Sequence, residues 1–127
     1  MEAFCYINYM EYLQKSAGES HSFFDNAVTV NEYNFDDKTI NDAEINITGR
    51  YPLSGYAVND ESLAFVSVES GVGSIMVIGS EARDIKAGDR IIIKPGEPYA
   101  ITSMGNLAIR YIATPAWTAS QARIVED

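Results

Sequence analysis

The sequence predicts an all-β domain, a sandwich or barrel of short strands. Three observations carry this expectation. From residue 44 onward apolar residues either alternate with polar ones or gather in short runs. Gly, Pro, Asn and Asp punctuate those runs about every 8–12 residues. The chain is 127 residues long with 46% hydrophobic and 21% charged residues, which suits one globular domain.

The elements follow in order. Residues 9–15 read as a short helix ending at Gly18, because Met10 and Leu13 fall three apart. Val28 to Phe35 reads as a strand of β-formers (Val28, Val30, Tyr33, Phe35) in which the alternation slips once. Ile45 and Ile47 alternate with Asn46 and Thr48 until Gly49 breaks the run. Leu63 to Val68 is the next strand, closed by Ser70-Gly71-Val72-Gly73. Ile75 to Ile78 is bounded by Gly79. Arg90 to Ile93 lies between Gly88-Asp89 and Pro95-Gly96, and its apolar run around Ile92 predicts burial on both faces. Leu107 to Ala113 is the last long strand, stopped by Pro115. Residues 118–124 fit a helical turn or a tail strand equally. With no repeat or low-complexity linker, residues 1–127 read as one domain: an N-terminal arm over 1–40, a barrel over roughly 44–115 and a tail over 116–127.

Charge narrows the partners. Nine basic against eighteen acidic residues give a net charge of −9. Phosphate backbones are gripped by clusters of Lys and Arg, and here the basic residues are scattered, so nucleic acid is not expected. An acidic surface also repels anionic lipid headgroups, and no apolar stretch approaches the ~20 residues a bilayer span needs. The opening residues Met1 to Tyr6 lack the basic and apolar regions of a signal peptide. Cys5 has no partner for an intrachain disulfide, so a cytoplasmic protein is expected.

Three segments carry a family resemblance. Val68-Glu69-Ser70-Gly71-Val72-Gly73-Ser74-Ile75, Ile85-Lys86-Ala87-Gly88-Asp89 and Ile93-Lys94-Pro95-Gly96-Glu97-Pro98-Tyr99 resemble, in that order, the turns of the cupin superfamily. The closing Ile112-Ala113-Thr114-Pro115 is similar to the end of the last barrel strand in small cupins. The turns have a physical basis. Gly71 and Gly73 permit positive φ in a tight hairpin, and Pro95-Gly96 suits the centre of a type II turn. Ile47 to Pro52, followed by Gly55 and Asn59, also resembles the lead-in of some single-domain cupins. The resemblance implies a double-stranded β-helix, the cupin jelly roll, with a short helical segment at its N-terminus.

Cupins usually hold a metal with three His and one Glu. Counting back from Gly71 puts the Glu position at Ala64, and the first two His positions at Val58 and Asp60, or at Ala57 and Asn59. Counting from Gly96 puts the third His position at Tyr99. Imidazole and carboxylate ligands are therefore replaced, and neither a metal nor another cofactor is expected. An improvised set drawn from Asp60, Glu61, Tyr99 and His21 is disfavoured, because binding needs ligand count and supporting contacts together.

The lost ligands leave pocket positions behind. Tyr99, Asp60, Val58, Ala64 and Val66 are the candidate ligand-binding residues, with Ala64, Val66 and Val68 alternating along one strand face. Tyr99 either presents its hydroxyl at the mouth of an apolar barrel or buries it against backbone. His21, the single histidine, lies beside Phe23-Phe24 in an expected loop. It suits proton transfer by type, yet no nucleophile or orienting carboxylate can be assigned to it, so no catalytic residue is named. Arg50 and Arg110 are expected to pair with acidic residues, and Trp117 to cover an edge or a dimer contact. The leading expectation is a metal-independent cupin holding a small molecule in its barrel. The alternatives are an acid–base enzyme of isomerase or epimerase type, or a purely structural protein. A homodimer is expected, with the tyrosine-rich stretch Tyr6, Tyr9 and Tyr12 as an interface or a lid.

Overall fold

The computed structural model describes residues 10–126. Within them ten strands pair antiparallel into one continuous, curled sheet. They are β1 (Glu19–Phe23), β2 (Val28–Tyr33), β3 (Asn41–Tyr51), β4 (Tyr56–Asn59), β5 (Leu63–Ser70), β6 (Val72–Val77), β7 (Arg83–Lys86), β8 (Arg90–Ile93), β9 (Tyr99–Thr114) and β10 (Ala122–Val125).

The sixteen residues of β9 are the spine. Its first half pairs with β6, from Tyr99↔Val77 to Ser103↔Gly73. Its second half lies between β3 and β5, where Ile109 faces Ile45 on one side and Val68 on the other. The path β1-β2-β3-β9-β4-β10 ends in two edge strands, while β8 flanks β5 and β7 flanks β6.

Alternation along the strands sends one set of side chains inward. The register aligns these sets into rows across the sheet: Phe23, Val28, Ile47 and Leu107, then His21, Val30, Ile45 and Ile109, then Glu32, Ala43 and Tyr111. Ile47, Val66 and Leu107 are fully buried at the centre of the core. Burying each such aliphatic side chain contributes roughly 1.5–3 kcal/mol. The opposite set, Asp42, Glu44, Asn46 and Arg110 among them, faces outward, and there Arg110 donates to both Asp42 carboxylate oxygens at 3.0 and 2.8 Å. Arg110 thus has the partner the sequence demanded, on the exposed face rather than in the interior.

Several expectations need correction. Residues 10–14 form no helix; the nearest helical structure among the described residues is one 3₁₀ turn at Lys15–Ala17. Met10 and Tyr12 are exposed, so the segment has no apolar face to bury, and so short a helix does not hold on propensity alone. Cys5, Tyr6 and Tyr9 lie outside the described residues. Gly49 does not end its strand: β3 runs on to Tyr51 through a bulge at which Gly49 takes φ 97°. β8 is not buried on both faces; it pairs only with β5, and Ile92 is 49% exposed. Residues 118–124 contain both proposed elements, a 3₁₀ turn at Ala119–Gln121 and then β10.

The two turn motifs behave differently. Gly96 takes φ 82° and Glu97 N–H donates to Lys94 O at 3.1 Å, the type II turn expected of Pro95-Gly96. Gly71 also takes positive φ, at 88°, but Gly73 does not. Gly73 is needed for close approach, because a Cβ there would collide with the backbone oxygen of Thr102 on β9.

Candidate functional site

The inward rows do not fill the barrel. A cavity of about 410 Å³ remains between β2, β3, β4, β9 and β10, within the range of small-molecule pockets. Its walls are chiefly aliphatic and aromatic: Val28, Val30, Ile45, Ile47, Ile101 and Ile124 with Phe23, Phe24, Tyr51 and Trp117. The polar groups gather in two places.

The first is the rim. β1 pairs with β2 so that His21 stands opposite Val30, one inward position from Glu32. The imidazole Nε2 lies 3.6 Å from Glu32 Oε1. Glu32 is fixed by two further groups: Asn34 Nδ2–H donates to Oε1 at 3.1 Å and Asn41 Nδ2–H donates to Oε2 at 3.4 Å. Asn41 Oδ1 in turn accepts from the Trp117 backbone N–H at 3.3 Å, which ties the Trp117 segment to the same rim. Such a carboxylate can orient an imidazole and stabilise its protonated form.

The second is a trio of tyrosines in the wall. Tyr51, Tyr99 and Tyr111 come from β3 and the two ends of β9, and the three phenols are near enough to influence one another's ionisation. Burial pushes the Tyr99 phenol well above its ordinary value, and the neighbouring phenols reinforce the shift. Burial, then Tyr51, pushes Tyr111 up to about 12. Burial also raises Tyr51, against a lowering hydrogen bond from Tyr99. At neutral pH all three stay protonated and present hydroxyls able to donate hydrogen bonds, not phenolates.

Aromatic rings join the two places. Phe23, Phe24, Tyr51 and Tyr99 form a ladder with centroids 6.5, 6.5 and 6.3 Å apart. Phe24 opens a run of three left-handed residues, with Asp25 and Asn26, at φ 56°, 54° and 68°. That conformation is costly for a bulky side chain; here the turn seats the Phe24 ring in the cavity wall.

The residues singled out from sequence fall into three groups. Tyr99, His21 and Trp117 line the cavity. Val58 is buried and borders it, but its cross-strand partner is Arg123, whereas Ala57 stands opposite Tyr99 and Asn59 opposite Ala122. Of the two spacings considered, Ala57 and Asn59 thus face inward. Asp60 points away and binds Arg123 through both carboxylate oxygens, at 2.8 and 3.1 Å. Ala64 and Val66 pack in the solid core and are not part of the cavity wall. Arg50 makes no salt bridge with a described residue; its Nη1 donates to Pro52 O at 2.9 Å and its guanidinium sits 5.6 Å from the Tyr56 ring centroid. Glu32, Asn41, Tyr51 and Tyr111 were missed. Strict alternation of Val28, Val30 and Glu32 was the available signal for the first of these.

The metal site of the fold family can be tested on these side chains. Ala57, Asn59, Ala64 and Tyr99 occupy its positions and offer one amide and one phenol. Asn59 Oδ1 already accepts from the N–H groups of Glu61 and Ser62, at 2.9 and 2.8 Å. Among the described residues no three His, Cys, Asp or Glu side chains are grouped to hold an ion. This donor set does not fit a divalent first-row metal.

No protein-family model matches the chain, and no curated protein matches it in sequence. Solved structures do match it in shape. The nucleoside dehydratase Pac13 superposes with a TM-score of 0.76 at 19% identity, covering 92% of each chain. Structures of its Streptomyces variants with uridine match equally well. Ectoine synthase from P. lautus gives 0.68 at 13% identity, over 91% of this chain and 90% of that one. The Cnp3 cupin domain of Schizosaccharomyces pombe gives 0.63 at 11% identity, over 76% and 68%. These likenesses establish the fold, an all-β cupin barrel.

Proposed function

Starting from a cupin barrel with a His–Glu pair at its rim and three protonated tyrosines in its wall, we propose a metal-independent acid–base enzyme acting on a small molecule. The carrying observation is convergence: His21, Glu32, Tyr51, Tyr99 and Tyr111 all border one cavity of about 410 Å³. In this reading the barrel binds the flat or apolar part of the substrate. His21, held by Glu32, takes a proton from carbon, and a tyrosine hydroxyl donates one to oxygen. A proton shift gives an isomer; protonation of a leaving hydroxyl breaks its C–O bond and releases water. Positioned proton transfer of this kind contributes about 10²–10⁴-fold to a rate. The shape match to a nucleoside dehydratase, seen also in variants with uridine, supports nucleosides and similar hydroxylated ring compounds as the first substrates to try.

The test is to incubate the protein with neutral nucleosides and similar hydroxylated ring compounds in deuterated water, following solvent-proton exchange and loss of water by mass spectrometry. His21→Gln and Tyr99→Phe should keep ligand binding and lose turnover by about 10²-fold or more. Binding without exchange or turnover in the parent protein would make it a carrier, not an enzyme. Turnover indifferent to both substitutions would remove the assigned roles.

A further inference from the structure

The same cavity has a charge preference, and the inference below rests on the binding reading above. Among the described residues no Lys or Arg borders the cavity. Arg123 is held by Asp60, Arg110 by Asp42, and Arg50 by Pro52 and Tyr56. Anions are recognised by guanidinium, ammonium or the N-terminus of a substantial helix, and the described residues offer this cavity none of these. Among the described residues the one carboxylic acid on the wall is Glu32, and the one basic side chain, His21, lies 3.6 Å from it. Moving an anion from water into such a space costs free energy that the neutral tyrosine hydroxyls offset only in part and no fixed cation offsets, and the chain's net charge of −9 opposes its approach. The rings of Phe23, Phe24, Tyr51 and Trp117 instead offer π faces to a flat neutral ring or a cation.

We infer that Glu32 is a specificity-determining residue that bars anions from the barrel, so that the ligand is uncharged or cationic and enters without phosphate or carboxylate groups. A nucleoside fits; its monophosphate does not. By the same chemistry, any phosphorylated precursor must lose its phosphate in an earlier hydrolytic step.

Matched probes test this. Uridine is compared with uridine monophosphate, and phenethyl alcohol and phenethylamine with hydrocinnamate. Trp117 is the only tryptophan and borders the cavity, so its fluorescence and its indole N–H resonance report binding. The neutral and cationic probes should bind at least about tenfold more tightly than the anionic ones, the scale expected of one partly screened charge. Glu32→Gln should narrow that gap to about threefold or less. Anions binding as well as their neutral partners, or a gap unchanged in Glu32→Gln, overturns the inference while leaving the cavity a binding site. Failure of every probe to perturb Trp117 overturns the binding reading itself and this inference with it.

Discussion

Raising the pH into the alkaline range should loosen the barrel through the tyrosine wall. Tyr111 ionises at about 12 in the folded protein, two units above the ordinary value of 10.0. In the unfolded chain it loses its proton near that ordinary value. Between the two the native state binds more protons than the unfolded state, so stability falls as pH rises through this window and is unaffected below it. At about 1.4 kcal/mol per unit, Tyr111 alone removes about 3 kcal/mol by the top of the window. Tyr99 acts in the same direction, its phenol being raised still more firmly by burial. The assay is urea unfolding at a series of alkaline pH values, with phenolate absorbance followed in parallel. Tyr111→Phe should flatten the decline by most of that amount, and the buried phenols should ionise only as the protein unfolds. A Tyr111→Phe protein that loses as much stability as the parent would refute the reasoning. So would a folded protein in which every phenol ionises near the ordinary value.

The packing makes three further predictions. Ile47→Ala, at a fully buried position in the first inward row, should cost about 2–5 kcal/mol in urea unfolding. Gly73→Ala should cost about 1–3 kcal/mol by forcing a methyl group against the β9 backbone, with Thr102 and Ser103 amide resonances shifting in the NMR spectrum. Asp60→Ala breaks an exposed pair with Arg123 and should leave the melting temperature and ligand binding unchanged, although the resemblance placed Asp60 in the pocket.

The barrel was legible because its signals are local. Pro95-Gly96 dictates its turn by the φ values those residues allow, and Ile45 and Ile47 declare their inward face by spacing. Long-range pairing was less visible. Tyr99 and Leu107 looked like parts of separate segments, yet one strand runs through both, and Gly105 within it takes φ 92° without ending it. β8 was misjudged for a related reason: an apolar run cannot reveal that its outer flank is a sheet edge. The cavity was half legible. Tyr99 followed from the turn before it, whereas the His21–Glu32 pair depends on the register between β1 and β2, which no local signal fixes. Glu32 was hidden for a different reason, since reading Tyr33 and Phe35 as the continuing β-formers shifts the inward set by one residue and turns the carboxylate outward.

β1 carries His21, and its anchorage bears on how the site would operate. All five of its residues are exposed, and among the described strands it pairs with β2 alone. The tyrosines, by contrast, sit on β3 and β9, each held between neighbours on both sides. On the proposed mechanism the proton donors thus sit on strands held from both sides, and the proton acceptor on a strand held from one, the kind of element that opens first. A substrate touching both would clip the loose ribbon onto the rigid wall. Its arrival would register as slowed amide hydrogen exchange from Glu19 to Phe23, while β9 stayed as protected as before.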